Sequence, residues 1–248
     1  MKNLPLIAAL AVVGAGLWLA AQPTDAPPAK PVPVAPSPAP DPVPPPKKPR
    51  KPWGEAASAT VGGPQHADGT EIDCDLPGNL HQKNTGGSDG AGLCVFASMR
   101  HSGLFADEPC FTELFAWMKK HPGGSYPEKT DKMIAQYCKE KGVPIPKYLQ
   151  VQSADIEILK RACAAGLMPG ITYWKSPTGR YGGQQISHMV SLVGATDKHF
   201  VILDNNYPGA ANYEWLSPDE FKKAYMGSTG KGWAVIPLKP GPPPIPHN

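Results

Sequence analysis

The chain has 248 residues, 32 of them proline, and a formal net charge of +3 at pH 7. This charge is small for the length and comes largely from the proline-rich part, so nothing in the composition favours a nucleic-acid-binding protein. The residues after about position 60 are numerous enough to form one hydrophobic core, which two lobes could share around a cleft.

The N-terminal segment, residues 1–22, is predicted to direct export. Lys2 is followed by eighteen residues without a charge, from Leu4 to Ala21. That run is long for the core of a signal peptide and short for a membrane span. A cleaved signal peptide and a retained membrane anchor both remain open, and both imply a periplasmic or extracellular location.

Residues 23–59 are predicted to be a proline-rich disordered linker. Fourteen prolines lie between residues 23 and 52, and that stretch contains no aromatic residue. Such a segment cannot bury enough surface to fold, and at about 3.1 Å per residue in polyproline II it spans on the order of 90 Å. A folded domain is predicted over residues 60–239. If residues 1–22 are retained as an anchor, the linker would hold this domain away from the membrane. Residues 240–248 form a short proline-rich tail.

The first chemical signal is the stretch 86–99, GGSDGAGLCVFASM, in which a glycine-rich turn runs directly into an apolar helical pattern. The pattern predicts a helix with Cys94 in its first turn and Gly103 at its end. Unpaired N–H groups and the positive end of the helix dipole favour a thiolate there. A small buried core cysteine is the alternative interpretation.

Further elements follow in chain order. Apolar spacing predicts a helix from Phe111 that stops at Pro122, and a helix from near Pro127 to Gly142. Residues 154–166 read as a fourth helix with Ser153 as its cap, and residues 167–174 as a strand. The capping-box spacing of residues 217–220 opens a fifth helix, and residues 232–238 read as a last strand. Helices first and strands later predict an α+β domain.

Residues 188–208, HMVSLVGATDKHFVILDNNYP, read as two strands around a short turn, with His188 opening the first. Together with Cys94, this stretch resembles the papain-like cysteine peptidases, and more closely their bacterial C39-like relatives. Residues 94–97 fall on the family's CWAF motif, and residues 188–194 fall on HAVxxVG. Asp204 falls on the residue that orients the histidine, which is commonly Asp in C39-like enzymes. Asn205 takes that role if the register is one residue off.

The resemblance implies a papain-like α+β fold, in which the nucleophilic cysteine begins a helix packed against a small antiparallel sheet that carries the His and the Asp. It implies a cysteine hydrolase that cleaves peptide or isopeptide amide bonds in a peptide or protein substrate, without a cofactor. A transglutaminase-like acyl transferase uses the same three roles and remains an alternative. A non-catalytic, peptidase-like domain that binds peptides is the third interpretation.

The oxyanion donor departs from the family pattern. The family places a Gln six residues before the nucleophile, and Ser88 occupies that position here. Gln82 has the expected residue type but lies twelve residues before Cys94, so it can serve only if the glycine-rich segment bulges out as an insertion. Asn84 and Ser88 are the other candidates.

Four cysteines remain beside Cys94: Cys74, Cys110, Cys138 and Cys163. In an exported chain they predict up to two disulfides, with three pairings that the sequence cannot distinguish, whereas buried thiols are the alternative. The seven histidines are scattered and no CxxC or HxxxH spacing occurs, so the sequence predicts no metal site.

The loop of residues 176–187 immediately precedes His188 and contains three glycines. It is either a mobile edge of the cleft or a hairpin loop without function. Tyr173, Trp174 and Trp215 are candidates for the cleft walls, although aromatic residues of this kind more often pack in the core.

Overall fold

The computed structural model describes residues 65–74, 76–209 and 212–242. Residues 1–22, the proline-rich linker and most of the predicted tail lie outside the described residues. Within the part of the chain that is described, no helix combines the length and the apolar character needed to cross a membrane. The elements in chain order are α1 (Cys94–Ala106), α2 (Pro109–Met118), α3 (Pro127–Lys141), β1 (Tyr148–Ser153), α4 (Glu157–Ala164), β2 (Gly170–Tyr173), β3 (His188–Ala195), β4 (Phe200–Leu203), β5 (Tyr213–Leu216), α5 (Pro218–Met226) and β6 (Gly232–Pro237).

The six strands form one antiparallel sheet in the order β1-β6-β2-β3-β4-β5. Every residue of β3 is buried, because helices cover both faces of the sheet. Met189 packs with α1, α2 and α3 on one face, whereas Val190 and Leu192 pack with α4 and α5 on the other. This alternation is the period of two expected of a strand. The first residue of β3, His188, is thereby fixed at the end of a rigid strand.

Helix α1 begins at Cys94, as the sequence predicts, but it does not end at Gly103. It continues to Ala106, and Asp107 closes it in the left-handed conformation with φ of 53°. Gly103 is needed for packing, since a Cβ there would lie 2.5 Å from the backbone N of Thr112 in α2. The glycine therefore allows α1 and α2 to approach closely instead of terminating α1.

The ends of the other helices confirm some sequence signals and correct others. Ser217 and Glu220 form the predicted capping box at the start of α5. Ser153 does not cap α4 directly: its Oγ accepts from the N–H of Asp155, whose carboxylate accepts from the N–H of Glu157, the first helical residue. Helix α4 thus begins later than predicted, because two successive turns precede it.

The α+β prediction is confirmed. A cysteine at the N-terminus of α1 packs against an antiparallel sheet, and the sheet supplies His188 at the start of β3 and Asp204 directly after β4. This is the papain-like arrangement that the sequence resemblance implies. Strands β1 and β5, at the two edges of the sheet, are additions that the sequence analysis did not predict.

Candidate active site

The glycine-rich segment before α1, residues 86–92, folds as a short hairpin. Gly86 and Gly92 form an antiparallel bridge, and the N–H of Gly90 donates to the carbonyl of Gly87 across the tip, 2.9 Å. The base of the hairpin brings Asn84 next to Leu93, whose N–H donates to Asn84 Oδ1 at 2.8 Å. The start of α1 is therefore held by a residue ten positions before Cys94 in the sequence.

His188 lies between the carboxylate of Asp204 and the thiol of Cys94. Its Nε2 is 2.9 Å from Asp204 Oδ1, and the Cys94 thiol lies near enough to the same imidazole that each group shifts the pKa of the other. Since Nε2 faces the carboxylate, Nδ1 is the nitrogen that serves Cys94. The structure thus brings together three side chains that span 110 residues of the sequence, in the order expected of a nucleophile, a base and an orienting acid.

The electrostatics of the pair favour charge separation. Burial opposes the thiolate, but the hydrogen bond and charge of His188, with the backbone N–H groups of Met189 and Val95, hold the pKa of Cys94 below its ordinary value. Burial likewise opposes the imidazolium, yet Asp204 and Cys94 raise the pKa of His188 to about 9. Both shifts favour a thiolate beside an imidazolium over the neutral pair.

Asp204 is fully buried and accepts several hydrogen bonds besides the one from His188. Tyr181 Oη donates to its Oδ2 at 2.6 Å, and the N–H of Asn206 donates to its Oδ1 at 2.9 Å. Arg180 Nη1 lies 3.7 Å from the same carboxylate. Burial works against the charge, but the hydrogen bond and charge of His188, followed by Tyr181 and Asn206, keep the pKa of Asp204 below its usual range.

Asn205, the alternative to Asp204, points elsewhere. Its Nδ2 donates to the carbonyls of Cys94 and Met189, at 3.2 and 2.9 Å, and to Ser98 Oγ at 2.9 Å. No hydrogen bond among the described residues joins Asn205 to the imidazole. Asn205 therefore connects α1 to β3, whereas Asp204 contacts the imidazole of His188.

Of the three oxyanion candidates, Asn84 lies nearest to the start of α1. A Cβ added to Gly92, two residues before Cys94, would lie 3.4 Å from Asn84 Nδ2. Gln82 directs its amide to the carbonyl of Lys83, 2.8 Å, and no hydrogen bond within the described chain joins it to Cys94 or His188. Ser88 lies on the exposed part of the hairpin.

A chain of hydrogen bonds runs from Asn84 to Asp204, and the sequence analysis missed its two middle residues. Asn84 Nδ2 donates to Asn206 Oδ1 at 3.0 Å, and Asn206 Nδ2 donates to Tyr181 Oη at 3.0 Å. Tyr181 then donates to Asp204. The only sequence signal for these residues was their position, since Asn206 follows Asp204 closely and Tyr181 lies in the loop before His188. That loop is an integral part of the site.

The aromatic candidates divide between the core and the periphery. Tyr173 is fully buried and donates to Glu214 Oε2 at 2.6 Å, so it is a core residue and not a cleft wall. Trp215 packs its ring against His66 and His199, with centroids 5.2 and 5.8 Å apart. Trp174 is partly exposed, and its backbone N–H donates to the carbonyl of Ala224. None of these contacts involves Cys94.

Three side chains that the sequence scatters come together away from Cys94. Asp68 accepts from His199 Nε2 at 3.0 Å and lies 3.0 Å from His66 Nδ1, and one donor atom from each residue falls within 4.8 Å of the others. Two imidazoles and a carboxylate are a ligand set that zinc and similar ions accept. In this structure the Asp68 carboxylate joins the segment that contains His66 to the turn between β3 and β4, where His199 lies.

No protein-family model and no curated protein matches the chain. Among solved structures, the chain is similar to a crystal structure described as a candidate C39-like peptidase from Bacillus anthracis, with a TM-score of 0.31 and 16% sequence identity. The superposed region covers 44% of this chain and spans 57% of the length of that one. The likeness is distant and partial.

Proposed function

We propose that this protein is a cysteine hydrolase that cleaves peptide or isopeptide amide bonds. The observation that carries the proposal is the series Cys94, His188 and Asp204, in which the His188 imidazole is bonded to a buried carboxylate and lies beside the Cys94 thiol. A buried histidine that only stabilised the fold would be neutral, and it would need neither the Cys94 thiol nor the Asp204 carboxylate beside it. The position of Cys94 at the N-terminus of α1 adds the helix dipole to the stabilisation of the thiolate.

In the proposed mechanism, the Cys94 thiolate attacks the carbonyl carbon of the substrate, and a C–S bond forms as the C=O π electrons move to oxygen. The imidazolium of His188 then gives its proton to the amide nitrogen, the C–N bond breaks, and the amine leaves. A water molecule gives a proton to His188 and its hydroxide attacks the thioester, which releases the carboxylic acid and restores the thiolate. Asp204 keeps the imidazole oriented and stabilises its charge through both halves.

The oxyanion is proposed to bind between the backbone N–H of Cys94 and the side-chain amide of Asn84. The first-turn N–H of Cys94 precedes any helical acceptor, so it is available for an anion. Asn84 Nδ2 carries two hydrogens and uses one on Asn206, which leaves the other. Asn84 would thereby replace the Gln that the family places six residues before its nucleophile.

A pair of variants tests this assignment. Asn84→Asp keeps an oxygen to accept from Leu93 but removes the amide hydrogens, so it should lower kcat by about 10²–10³-fold, the usual loss for one oxyanion donor. Gln82→Ala is the matched control and should leave kcat within a few-fold of wild type, because among the described residues the Gln82 side chain bonds only Lys83. A large loss in Gln82→Ala together with an active Asn84→Asp would reverse the assignment.

The function itself is tested by incubating the full chain with a mixed peptide library, with and without an added primary amine, beside the Cys94→Ala variant. The expected result is peptide shortening that requires Cys94 and produces free carboxylates. Products that carry the added amine in place of the carboxylate would identify an acyl transferase. Peptides that are retained by the protein but unchanged, equally with wild type and Cys94→Ala, would identify a binding domain and refute the hydrolase.

A further inference from the structure

We propose that the four cysteines other than Cys94 form two disulfides, Cys74–Cys163 and Cys110–Cys138, and that Cys94 is the single free thiol of the mature protein. The sequence leaves three pairings of these four residues open, together with four buried thiols. The structure selects one pairing, because it places the sulfurs of Cys110 and Cys138 3.4 Å apart and brings Cys74 and Cys163 against neighbouring residues of β3. The inference does not depend on the proposed hydrolase activity.

The first pair joins α2 to α3. Cys110 and Cys138 are 28 residues apart in the sequence, and their sulfurs lie 3.4 Å from each other. Both side chains are buried in the same apolar cluster. A disulfide requires about 2.05 Å between sulfurs, a difference that small side-chain rotations can supply without moving the helices apart.

The second pair joins the segment that enters the domain to α4. The N–H of Cys74 donates to the carbonyl of Val193 at 2.7 Å, which fixes Cys74 against β3. The thiol of Cys163 lies 4.0 Å from the carbonyl of Leu192, the neighbouring residue of that strand. The thiol of Cys74 donates to the carbonyl of Leu167 at 3.2 Å, so it lies beside the end of the helix that carries Cys163, and both cysteine side chains are almost fully buried.

Other pairings conflict with the fold. Cys110 and Cys138 belong to the cluster formed by α1, α2 and α3, whereas Cys163 packs with α4 and α5 on the opposite face of the sheet. A bond between these groups would have to pass through the sheet. Cys94 is engaged with His188 and is paired with none of the other four thiols. The pairing is therefore a consequence of the topology and not only of proximity.

Formation of the two disulfides requires an oxidant. Each pair of thiols loses two protons and two electrons as the S–S bond forms. A carrier in the export compartment that holds a disulfide accepts them and is reduced to a dithiol. Burial is the main reason that the pKa values of Cys110 and Cys163 lie well above that of an ordinary thiol, and the neighbouring thiol of each pair adds to it. Thiols of this kind exchange slowly once folded, so the bonds form during folding.

Trypsin separates the five cysteines, which makes the pairing directly measurable. Lysine and arginine positions place Cys74, Cys94, Cys110, Cys138 and Cys163 in peptides that end at residues 83, 100, 119, 139 and 175. The full chain should be exported into the periplasm of a bacterial host, unfolded in denaturant with iodoacetamide but no reductant, and digested. We expect two linked peptide pairs, 74 with 163 and 110 with 138, and alkylation at Cys94 alone.

Three results would overturn the proposal: alkylation of all five cysteines without reductant, a different pairing, or a link to Cys94. The Cys94→Ser variant is the matched control and should retain both links while showing no alkylated cysteine. The disulfide pattern does not depend on catalysis, so a protein without hydrolase activity can still give the expected links.

The bonds should also stabilise the exported protein. Removing native disulfides commonly lowers stability enough to shift the melting temperature of a domain of this size by about 5–15 °C. Reductant should produce such a shift in wild type, and a smaller one in a Cys110→Ala, Cys138→Ala double variant that keeps only Cys74–Cys163. An exported wild-type protein that melts at the same temperature with and without reductant would contradict the proposal.

Discussion

Replacement of Asn205 by alanine tests whether Asn205 stabilises the packing of α1 on β3 without orienting His188, the role proposed for Asp204. Asn205 is fully buried, and its Nδ2 donates to two backbone carbonyls and one hydroxyl that belong to α1 and β3. The Asn205→Ala variant removes these donors without adding volume. The acceptors on Cys94, Ser98 and Met189 then remain in an interior where they have lost one partner.

The magnitude follows from those contacts. The two hydrogens of Nδ2 are shared among the three acceptors, and at about 1.5 kcal/mol for each hydrogen their removal costs about 3 kcal/mol of unfolding free energy. Asn205 Oδ1 is buried without a hydrogen-bond partner among the described residues, so its removal returns about 1 kcal/mol. The net loss is then about 2 kcal/mol, or a melting temperature lower by about 4–8 °C.

Urea unfolding followed by tryptophan fluorescence measures this loss, with Asp204→Ala as the comparison. Asn205→Ala should unfold at lower urea, while under folding conditions the pH midpoint of Cys94 alkylation stays close to that of wild type. Asp204→Ala should lower kcat by about 10²-fold or more and move that midpoint upward, because the imidazolium loses its carboxylate. Wild-type stability in Asn205→Ala, combined with loss of the low-pH alkylation, would show that Asn205 orients the base.

Three further predictions concern the charges of the site. Iodoacetamide should alkylate Cys94 at about pH 6 much faster than any other cysteine, and His188→Ala should move its midpoint towards the ordinary thiol value near 8.5. The pKa of His188, about 9, is raised above its ordinary value, so the imidazolium is fully present at lower pH and kcat should fall as pH rises through about 9, as a pH–rate profile would record. Tyr181→Phe removes a charge-assisted hydrogen bond of about 1.5 kcal/mol or more to Asp204 and should lower kcat about tenfold, whereas the matched Tyr207→Phe should not.

Each of these predictions has an outcome that contradicts it. If Cys94 reacts only near pH 8.5, the thiolate–imidazolium pair is absent. A rate that stays constant through pH 9 would mean that His188 does not supply the proton to the leaving amine. If Tyr181→Phe and Tyr207→Phe behave alike, the hydroxyl on Asp204 has no part in holding the base.

The parts of the fold that local signals determine were predictable from the sequence. A glycine-rich turn followed by a helical apolar face correctly placed Cys94 at the start of α1, and the capping box correctly opened α5. In both cases the residues that decide the structure lie close to one another in the sequence. Gly103 misled for the opposite reason, since its role depends on α2 packing against it, a contact that spacing within α1 does not encode.

The two edge strands were not predictable in the same way. Strand β1 has polar residues such as Gln150 and Gln152 among its apolar ones, and it becomes a strand because it pairs with β6, more than eighty residues later. Strand β5 is four residues long and pairs only with β4. Short edge strands carry little periodicity of their own, because half of their hydrogen-bonding groups and much of their surface are not buried by the sheet.

The candidate site shows the same division between local motif and long-range geometry. The family spacing points to Ser88 for the oxyanion donor because it counts residues along the chain, but the hairpin of residues 86–92 removes those residues from the path between the donor and the nucleophile. Once the hairpin is closed, Asn84 stands beside Leu93 and completes a hydrogen-bonded series to Asp204 through Asn206 and Tyr181. The side chain proposed to bind the oxyanion is thereby coupled to the one that orients the base. A change in the hairpin that displaces Asn84 should therefore affect both ends of the site, which no count of residues between motifs could indicate.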